Sequence, residues 1–489
     1  MSLFRKKSLA ALLDQASQSN LKRTLAAKSL VALGVGAIIG AGLFIRTAAA
    51  STQNAGPAVT LSFVIAAIGC AFAGLCYSEF AAMIPIAGSA YTYAYTTMGE
   101  LVAWIIGWAL VLEYALGAAT VAIGWSEYLN NLLGGNIPYQ WCHSPMQVSA
   151  TGVHGIFNIP ALFIVLLLTV LLMKGTHESA TVNTVIVTLK VAIVIIFIAV
   201  GWRFINPANL TPYRIPAGTP GHEGVFQHGW GGILGGAGIV FFAFIGFDAV
   251  STAAQETKKP ERDMPIGILG SLALCTVLYI LFGYVLTGVC NWREFAVAGK
   301  EASVAYAVQH YMPGFQWLAT AITIAILLGF SSVILVMLLG QSRVFYTMAK
   351  DGLLPKVFSD VHPKFRTPYK CNVILFFFVG AFAAIVPGDV TGDLTSIGTL
   401  FAFSLVSIGV WIMRHLEPDM HRPFRTPWVP VVPLLGVIVC GGMIASLEHR
   451  TQLTALVWMV FGLFIYFLYG RSHSQLNPAT LESPEKVLR

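Results

Sequence analysis

Apolar residues in this chain gather into long, nearly unbroken stretches separated by short polar connections. Twelve of them reach spanning length, at roughly 29–50, 57–83, 99–130, 158–174, 182–203, 230–254, 265–290, 315–347, 371–387, 393–414, 428–446 and 453–470. A helix needs about 20 apolar residues to cross a bilayer, and it closes all of its own backbone hydrogen bonds, as lipid demands. The pattern predicts an all-α integral membrane protein with 12 transmembrane helices. The third and eighth stretches are longer than a crossing requires, so these two helices are expected to tilt or to project from the bilayer.

The first stretch carries an irregularity. Gly34-Val-Gly-Ala-Ile-Ile-Gly-Ala-Gly-Leu-Phe44 places four glycines within nine residues. Glycine is unfavourable in a helix interior, and a broken helix at bilayer depth is tolerated only where the freed backbone lines a cavity or binds something. One reading is an unwound centre at Ile38–Gly42 that forms a substrate site. The other is close packing, because Gly36-x-x-x-Gly40 fits the small-residue motif of membrane bundles. A dinucleotide fingerprint is excluded by the glycine register and by the lack of any surrounding strand pattern. The sixth stretch repeats the irregularity, with Gly235-Gly-Ala-Gly238 leading into Ile239-Val-Phe-Phe-Ala-Phe-Ile-Gly-Phe-Asp248. A glycine-weakened helix thus recurs five spans on, at the start of a second set of five. Five is odd, so the second set enters the membrane with opposite orientation. That is the inverted-repeat pattern of secondary transporters, whose broken helices meet near the midplane. It favours the site reading over packing.

Composition and charge sharpen the picture. Of the 489 residues, 56% are hydrophobic and 10% charged, against about 25% charged in a soluble domain. With both termini placed in the cytoplasm, 22 of the 29 Lys and Arg residues fall on that side. They occupy an N-terminal arm (1–28), Lys174, the Lys258–Arg262 loop, Arg343–Lys370, Arg414–Arg425 and a tail (471–489). Outside lie Arg46, Arg203, Arg214, Arg293, Lys300 and Arg450, while Lys190 falls within a span. The asymmetry satisfies the positive-inside rule and accounts for the net charge of +7, so no nucleic-acid partner is needed. The basic arm reads as a topology signal that can also touch anionic lipid, and it lacks an apolar core long enough for a cleaved signal. Seven scattered cysteines without a C-x-x-C pair indicate neither a metal site nor a disulfide framework, and no cofactor is expected. No H-E-x-x-H or comparable cluster marks an enzyme. The histidines lie almost entirely in loops and tails, so no buried imidazole relay is expected.

Four motifs resemble those of the amino acid–polyamine–organocation (APC) superfamily. Gly34–Phe44 looks like its first-helix signature, and Tyr77-Ser-Glu-Phe-Ala-Ala-Met-Ile-Pro-Ile-Ala-Gly-Ser-Ala-Tyr-Thr-Tyr93 looks like its second. Phe241–Asp248 with Thr257–Gly267 resembles its sixth helix and the following loop, and Gln341–Pro355 is similar to its eighth-helix exit. The match covers about residues 25–470 in the family's order, and it is strongest to bacterial relatives of the cationic amino acid transporters. The resemblance implies a five-plus-five inverted repeat with broken helices 1 and 6. Helices 1–5 would occupy 29–203, helices 6–10 would occupy 230–414, and two further C-terminal helices would occupy 428–470.

An α-amino acid presents a carboxylate and an ammonium on one carbon. Backbone N–H groups at the start of a half-helix suit the carboxylate, and free carbonyls at half-helix C-terminal ends suit the ammonium. By resemblance, Ala41 and Gly42 offer N–H groups, while Ile38, Phe242, Ala243 and Ile245 offer carbonyls. Phe242 would also cover the substrate from outside. Glu113 lies mid-span, where an ionisable group costs on the order of 2.5–3.5 kcal/mol. It is expected to face the interior as a pocket-lining or proton-binding carboxyl, the alternative being a polar contact between helices. Asp248 follows the sixth-helix break, where it can cap exposed N–H groups or bind a proton. Glu79, near the membrane interface, reads as structural. Met337 aligns by resemblance with a position lining the side-chain pocket, where a bulky thioether favours small or medium neutral side chains. Lys190 lies about eight residues, or ~12 Å, from the inner end of its apolar run, barely within snorkelling reach. By resemblance it stands where sodium sits in sodium-coupled relatives of the fold. Its ammonium would satisfy first-helix carbonyls and couple transport to protons, with Glu113 sharing the role.

The expected function is proton-coupled uptake of neutral L-amino acids across the cytoplasmic membrane. Uptake or exchange of arginine, lysine or ornithine is the alternative within transport. A remoter one is a receptor that keeps the fold but moves nothing, for which no large soluble signalling domain is present.

Overall fold

The computed structural model describes residues 5–7, 25–84, 89–149, 151–175, 180–296 and 303–476. Most of the N-terminal arm and of the tail, and residues 85–88 of the second-helix motif, lie outside them. Among the described residues the chain is helical, its only β pairing being two isolated bridges, Leu25 with Thr257 and Val148 with His154.

Each apolar stretch becomes a helix or a pair of helical pieces. Among the described residues, seven runs are long and apolar enough to cross a membrane: Gly42–Met83, Glu100–Leu132, Val185–Phe204, Pro260–Val289, Gln316–Lys350, Gly388–Leu416 and His449–His473. Five shorter apolar helices accompany them: Ala27–Ile38, Ile159–Lys174, Gly229–Phe244, Tyr369–Ile385 and Val431–Ser446. The run Gly42–Met83 turns at Gly56–Ala58, so it holds the second half of the first stretch and then the second stretch, Val59–Met83. The third and eighth stretches, at 33 and 35 residues, are the long helices their sequence implies. Two short helices, Ser89–Thr97 and Ser303–Tyr311, have no counterpart in the hydrophobic pattern, being too short and too polar to register in it.

The seventh stretch packs against both the first and the second, the third against the eighth, the sixth against the second, and the tenth against the eleventh. Tyr77, Phe247 and Phe403 form an aromatic knot inside, with ring centroids 4.9–5.9 Å apart. Large apolar side chains such as Phe163, Leu167, Leu456, Val457 and Phe464 lie on the outer surface. An apolar exterior of this extent is the surface of a protein that meets lipid.

One rim of the bundle is tied by charge. At the end of the second stretch, buried Glu79 receives Arg414 in a bidentate pair (Nε 2.8 Å, Nη2 2.9 Å) and the Thr426 N–H at 2.8 Å. The Arg422 Nε stands 3.3 Å from the same carboxylate. Nearby, Asp351 at the end of the eighth stretch accepts from Lys7 at 2.7 Å and from the Tyr91 hydroxyl at 2.9 Å. The structural role expected of Glu79 thus takes the form of an ion pair joining the second stretch to the tenth.

Candidate functional site

The first helix ends at Ile38, and Ile39 is extended (ψ 101°). Helical geometry returns at Ala41, and Gly42–Arg46 forms a π-type turn. The interruption therefore spans Ile39–Gly40 rather than all of Ile38–Gly42. The glycines also pack closely. A Cβ on Gly36 would meet Val187 of the fifth stretch at 2.3 Å, and one on Gly40 would meet Val333 of the eighth at 3.1 Å. Close packing and an interrupted helix coexist in the glycine run, because a small-residue face that lets helices approach also weakens the helix at its centre.

The sixth stretch breaks elsewhere than its glycine run. Gly229–Val240 is continuous helix through Gly235–Gly238, and those glycines serve packing: a Cβ on Gly236 would lie 2.6 Å from the Ser62 Oγ. The chain tightens to a 3₁₀ turn at Phe241–Phe244, extends at Ile245 (ψ 135°) and reverses at Gly246, whose φ of +113° only glycine takes without strain. A Cβ there would also lie 2.8 Å from the Ala37 carbonyl oxygen. The two breaks touch. A Cβ on Gly42 would fall 2.1 Å from the Ala243 Cα, so the two backbones pass at the distance that glycine alone permits. Ile38, Ala41, Phe242, Ala243 and Ile245 are all buried around this crossing. The hydroxyl of Tyr279, from the seventh stretch, lies 2.9 Å from both the Ile38 and the Ala243 carbonyl oxygens. It joins the two broken helices at the carbonyls that sequence reasoning assigns to an ammonium.

Two further groups flank the crossing. Glu113 is fully buried in a π-type turn, Val111–Leu116, of the third stretch. Its carboxyl group faces the Asp248 carboxyl and the Thr399 hydroxyl. Asp248 accepts a hydrogen bond from the Tyr114 hydroxyl at 2.8 Å. The helical turn Asp248–Glu256 starts after Phe247 with no side-chain cap, and the carboxylate faces Tyr114 and Glu113. Met337 places its sulfur 3.0 Å from where a Gly117 Cβ would be, one helical turn beyond Glu113 and therefore on the same face.

Lys190 is buried at 2% exposure and does not snorkel. Its ammonium donates to the Gly36 carbonyl at 3.1 Å, and it lines a small void with Ile39, Gly40 and Phe330. A Cβ on Gly329 would meet its Cε at 2.7 Å, so the stem crosses the eighth stretch where that helix lacks a side chain. The lysine thus reaches the first helix just before its interruption.

A cleft of about 410 Å³ opens at the opposite rim from Glu79, lined by Asn54, Gln227, Asp389, Asp393 and Glu448 among others. Arg46, which the charge pattern assigns to the outer side, is buried at 3% exposure and forms an ion pair with Asp393. Tyr114 and Tyr279 leave no mark in the sequence, because their partners come from other helices. Arg46 carried a usable signal, a cation four residues beyond the glycine run.

Two interrupted helices crossing inside an apolar bundle, beside a buried lysine and a pair of buried carboxyls, make the arrangement of a membrane permease. The chain belongs to the amino acid permease family, whose profile matches residues 25–474. It is 44% identical over 480 residues to the branched-chain amino acid permease BcaP of Bacillus subtilis (strain 168), covering 97% of this chain and 99% of that one. It is 39% identical to the methylthioribose transporter of the same organism, again over 97% and 99% of the two chains. It is 35% identical to the vacuolar cationic amino acid transporter 4 of Arabidopsis thaliana, over 82% of this chain and 64% of the plant protein. It is accordingly a multi-pass membrane transporter of amino acids and not an enzyme.

Proposed function

We propose that this permease imports neutral L-amino acids across the cytoplasmic membrane, driven by protons. In this reading the chain crosses twelve times, with both termini inside and with the 29–203 and 230–414 halves as inverted repeats. The observation that carries proton coupling is the Lys190 ammonium on the Gly36 carbonyl, at the edge of the first-helix interruption. A fixed side-chain cation there supplies the positive charge that unwound carbonyls otherwise draw from a bound ion. Its contact with the first helix forms or breaks as that helix moves. Glu113 and Asp248 supply a second protonatable site, since two neighbouring carboxylates in apolar surroundings repel.

Substrate binding follows from the two breaks. Ala41 and Gly42 begin the second half of the first helix and present N–H groups to the carboxylate. The carbonyls of Ile38, Phe242, Ala243 and Ile245 take the ammonium, and Phe242 covers the substrate from the side of the Asp393 cleft. Met337 bounds the side-chain space beside Gly117, which supports neutral side chains of moderate size, as does the 44% identity to a protein named for branched-chain substrates.

The experiment is uptake of labelled L-leucine into proteoliposomes under imposed gradients, with L-arginine and methylthioribose as competitors. Accumulation driven by an inward proton gradient, without sodium and with weak competition by both, is expected. Strong competition by arginine would move the substrate to the cationic class, and strong competition by methylthioribose would remove the ammonium from recognition.

A further inference from the structure

Tyr279 is fully buried in the seventh stretch, held by the rings of Phe63 and Phe244 with centroids at 5.5 and 5.2 Å. Its hydroxyl stands 2.9 Å from two carbonyl oxygens, Ile38 on the first helix and Ala243 on the sixth. A hydroxyl has one proton to donate and lone pairs left to accept with. The two carbonyls therefore share one donor while each keeps room for a second hydrogen bond. Together the three atoms form a triangle of oxygens at the crossing of the broken helices.

We infer that Tyr279 is a specificity-determining residue that makes the site count N–H groups: its hydroxyl oxygen is the third acceptor for the substrate's primary ammonium. The inference rests on the amino acid reading above. A primary ammonium has three N–H groups and satisfies Ile38 O, Ala243 O and Tyr279 Oη at once, while the tyrosine goes on donating to one carbonyl. A secondary ammonium has only two N–H groups and leaves one acceptor bare in a site closed to water, which is costly. Recognition of this kind rejects N-alkylated and imino acids without any contact to the substrate side chain. The tyrosine ring places the hydroxyl and the seventh stretch fixes the ring, so the count is built into the bundle rather than into the mobile halves.

The test is competition against labelled L-leucine uptake in proteoliposomes by L-leucine, L-alanine and their N-methyl derivatives, for the native protein and Tyr279→Phe. A lost hydrogen bond to a charged group corresponds to roughly tenfold or more in affinity. The native protein is expected to prefer each primary amine over its N-methyl form by at least about that factor. Tyr279→Phe is expected to weaken the primary amines by about tenfold and to leave the N-methyl forms unchanged, so the ratio collapses toward one. An unchanged ratio overturns the inference. So does a gain for the N-methyl forms with the primary amines unaffected, which is relief of crowding and not loss of an acceptor. If Tyr279→Phe does not fold, the native protein decides: equal competition by both members of each pair overturns the inference, and a preference for the primary amine sustains it. Absence of native uptake of L-leucine overturns the preceding reading and this one with it, whereas a failure confined to the ratio overturns this one alone.

Discussion

Met337 meets the third stretch beside Gly117, and its three rotatable bonds let it fill that space without a fixed shape. Met337→Ser removes bulk and adds a hydroxyl, so arginine and lysine are expected to compete for uptake several-fold better while L-leucine weakens. A competition series checks this, and an unshifted balance would remove Met337 from the pocket. Gly42 is constrained differently, since its missing Cβ is what lets Ala243 approach. Gly42→Ala is expected to cost about 1–3 kcal/mol, the usual range for overpacking, and to abolish uptake. A thermal melt paired with transport measures both, and a variant with native melt and native uptake contradicts the crossing. At this scale the sequence exposes charge better than partnership. Lys190 stands out because a cation in an apolar run is expensive. Its acceptor, a backbone carbonyl 154 residues away, leaves no trace in composition. Tyr279 is one of 16 tyrosines, and only the fold brings its hydroxyl to two broken helices.

Glycine content marks both broken helices, but it places the break correctly only in the first. In the first stretch the four glycines bracket the interruption, which is confined to Ile39–Gly40. In the sixth the helix runs through Gly235–Gly238 and breaks at Ile245–Gly246. Packing against Asn54, Ser62 and Met443 uses those earlier glycines, and propensity alone cannot separate a glycine that admits a neighbour from one that turns the chain. The π-type turn around Glu113 is equally illegible, because Val111–Leu116 contains neither glycine nor proline to mark it. The rim pair Glu79–Arg414 joins the second and tenth stretches, and its carboxylate is buried. Glu79→Ala leaves cations near a buried site without their carboxylate, and is expected to destabilise the protein by about 3–5 kcal/mol. The KM of the folded fraction should stay as it was, since the pair sits at the rim opposite the Asp393 cleft. Thermal melting with uptake kinetics tests this, and a changed KM with an unchanged melt would place Glu79 in the transport path instead.

For the molecule as a whole, protein class and all-helical architecture are the most legible features. Twelve apolar stretches are a signal of length that short-range ambiguity does not blur, and motif order carried the family. What composition could not give is how the halves meet. The crossing of Gly42 with Ala243, the approach of Lys190 to Gly36 and the neighbouring Glu113 and Asp248 all join stretches far apart in the chain. Lys190, seated at the first-helix break, is the group proposed to couple substrate movement to protons. The most direct measurement is amino acid accumulation in sodium-free proteoliposomes at a series of internal and external pH values, for the native protein and Lys190→Ala. An inward proton gradient is expected to drive accumulation by the native protein, and Lys190→Ala, still folded, is expected to equilibrate substrate without concentrating it and without dependence on pH. Sodium-driven uptake at constant pH, or normal pH-dependent accumulation by Lys190→Ala, would contradict this role.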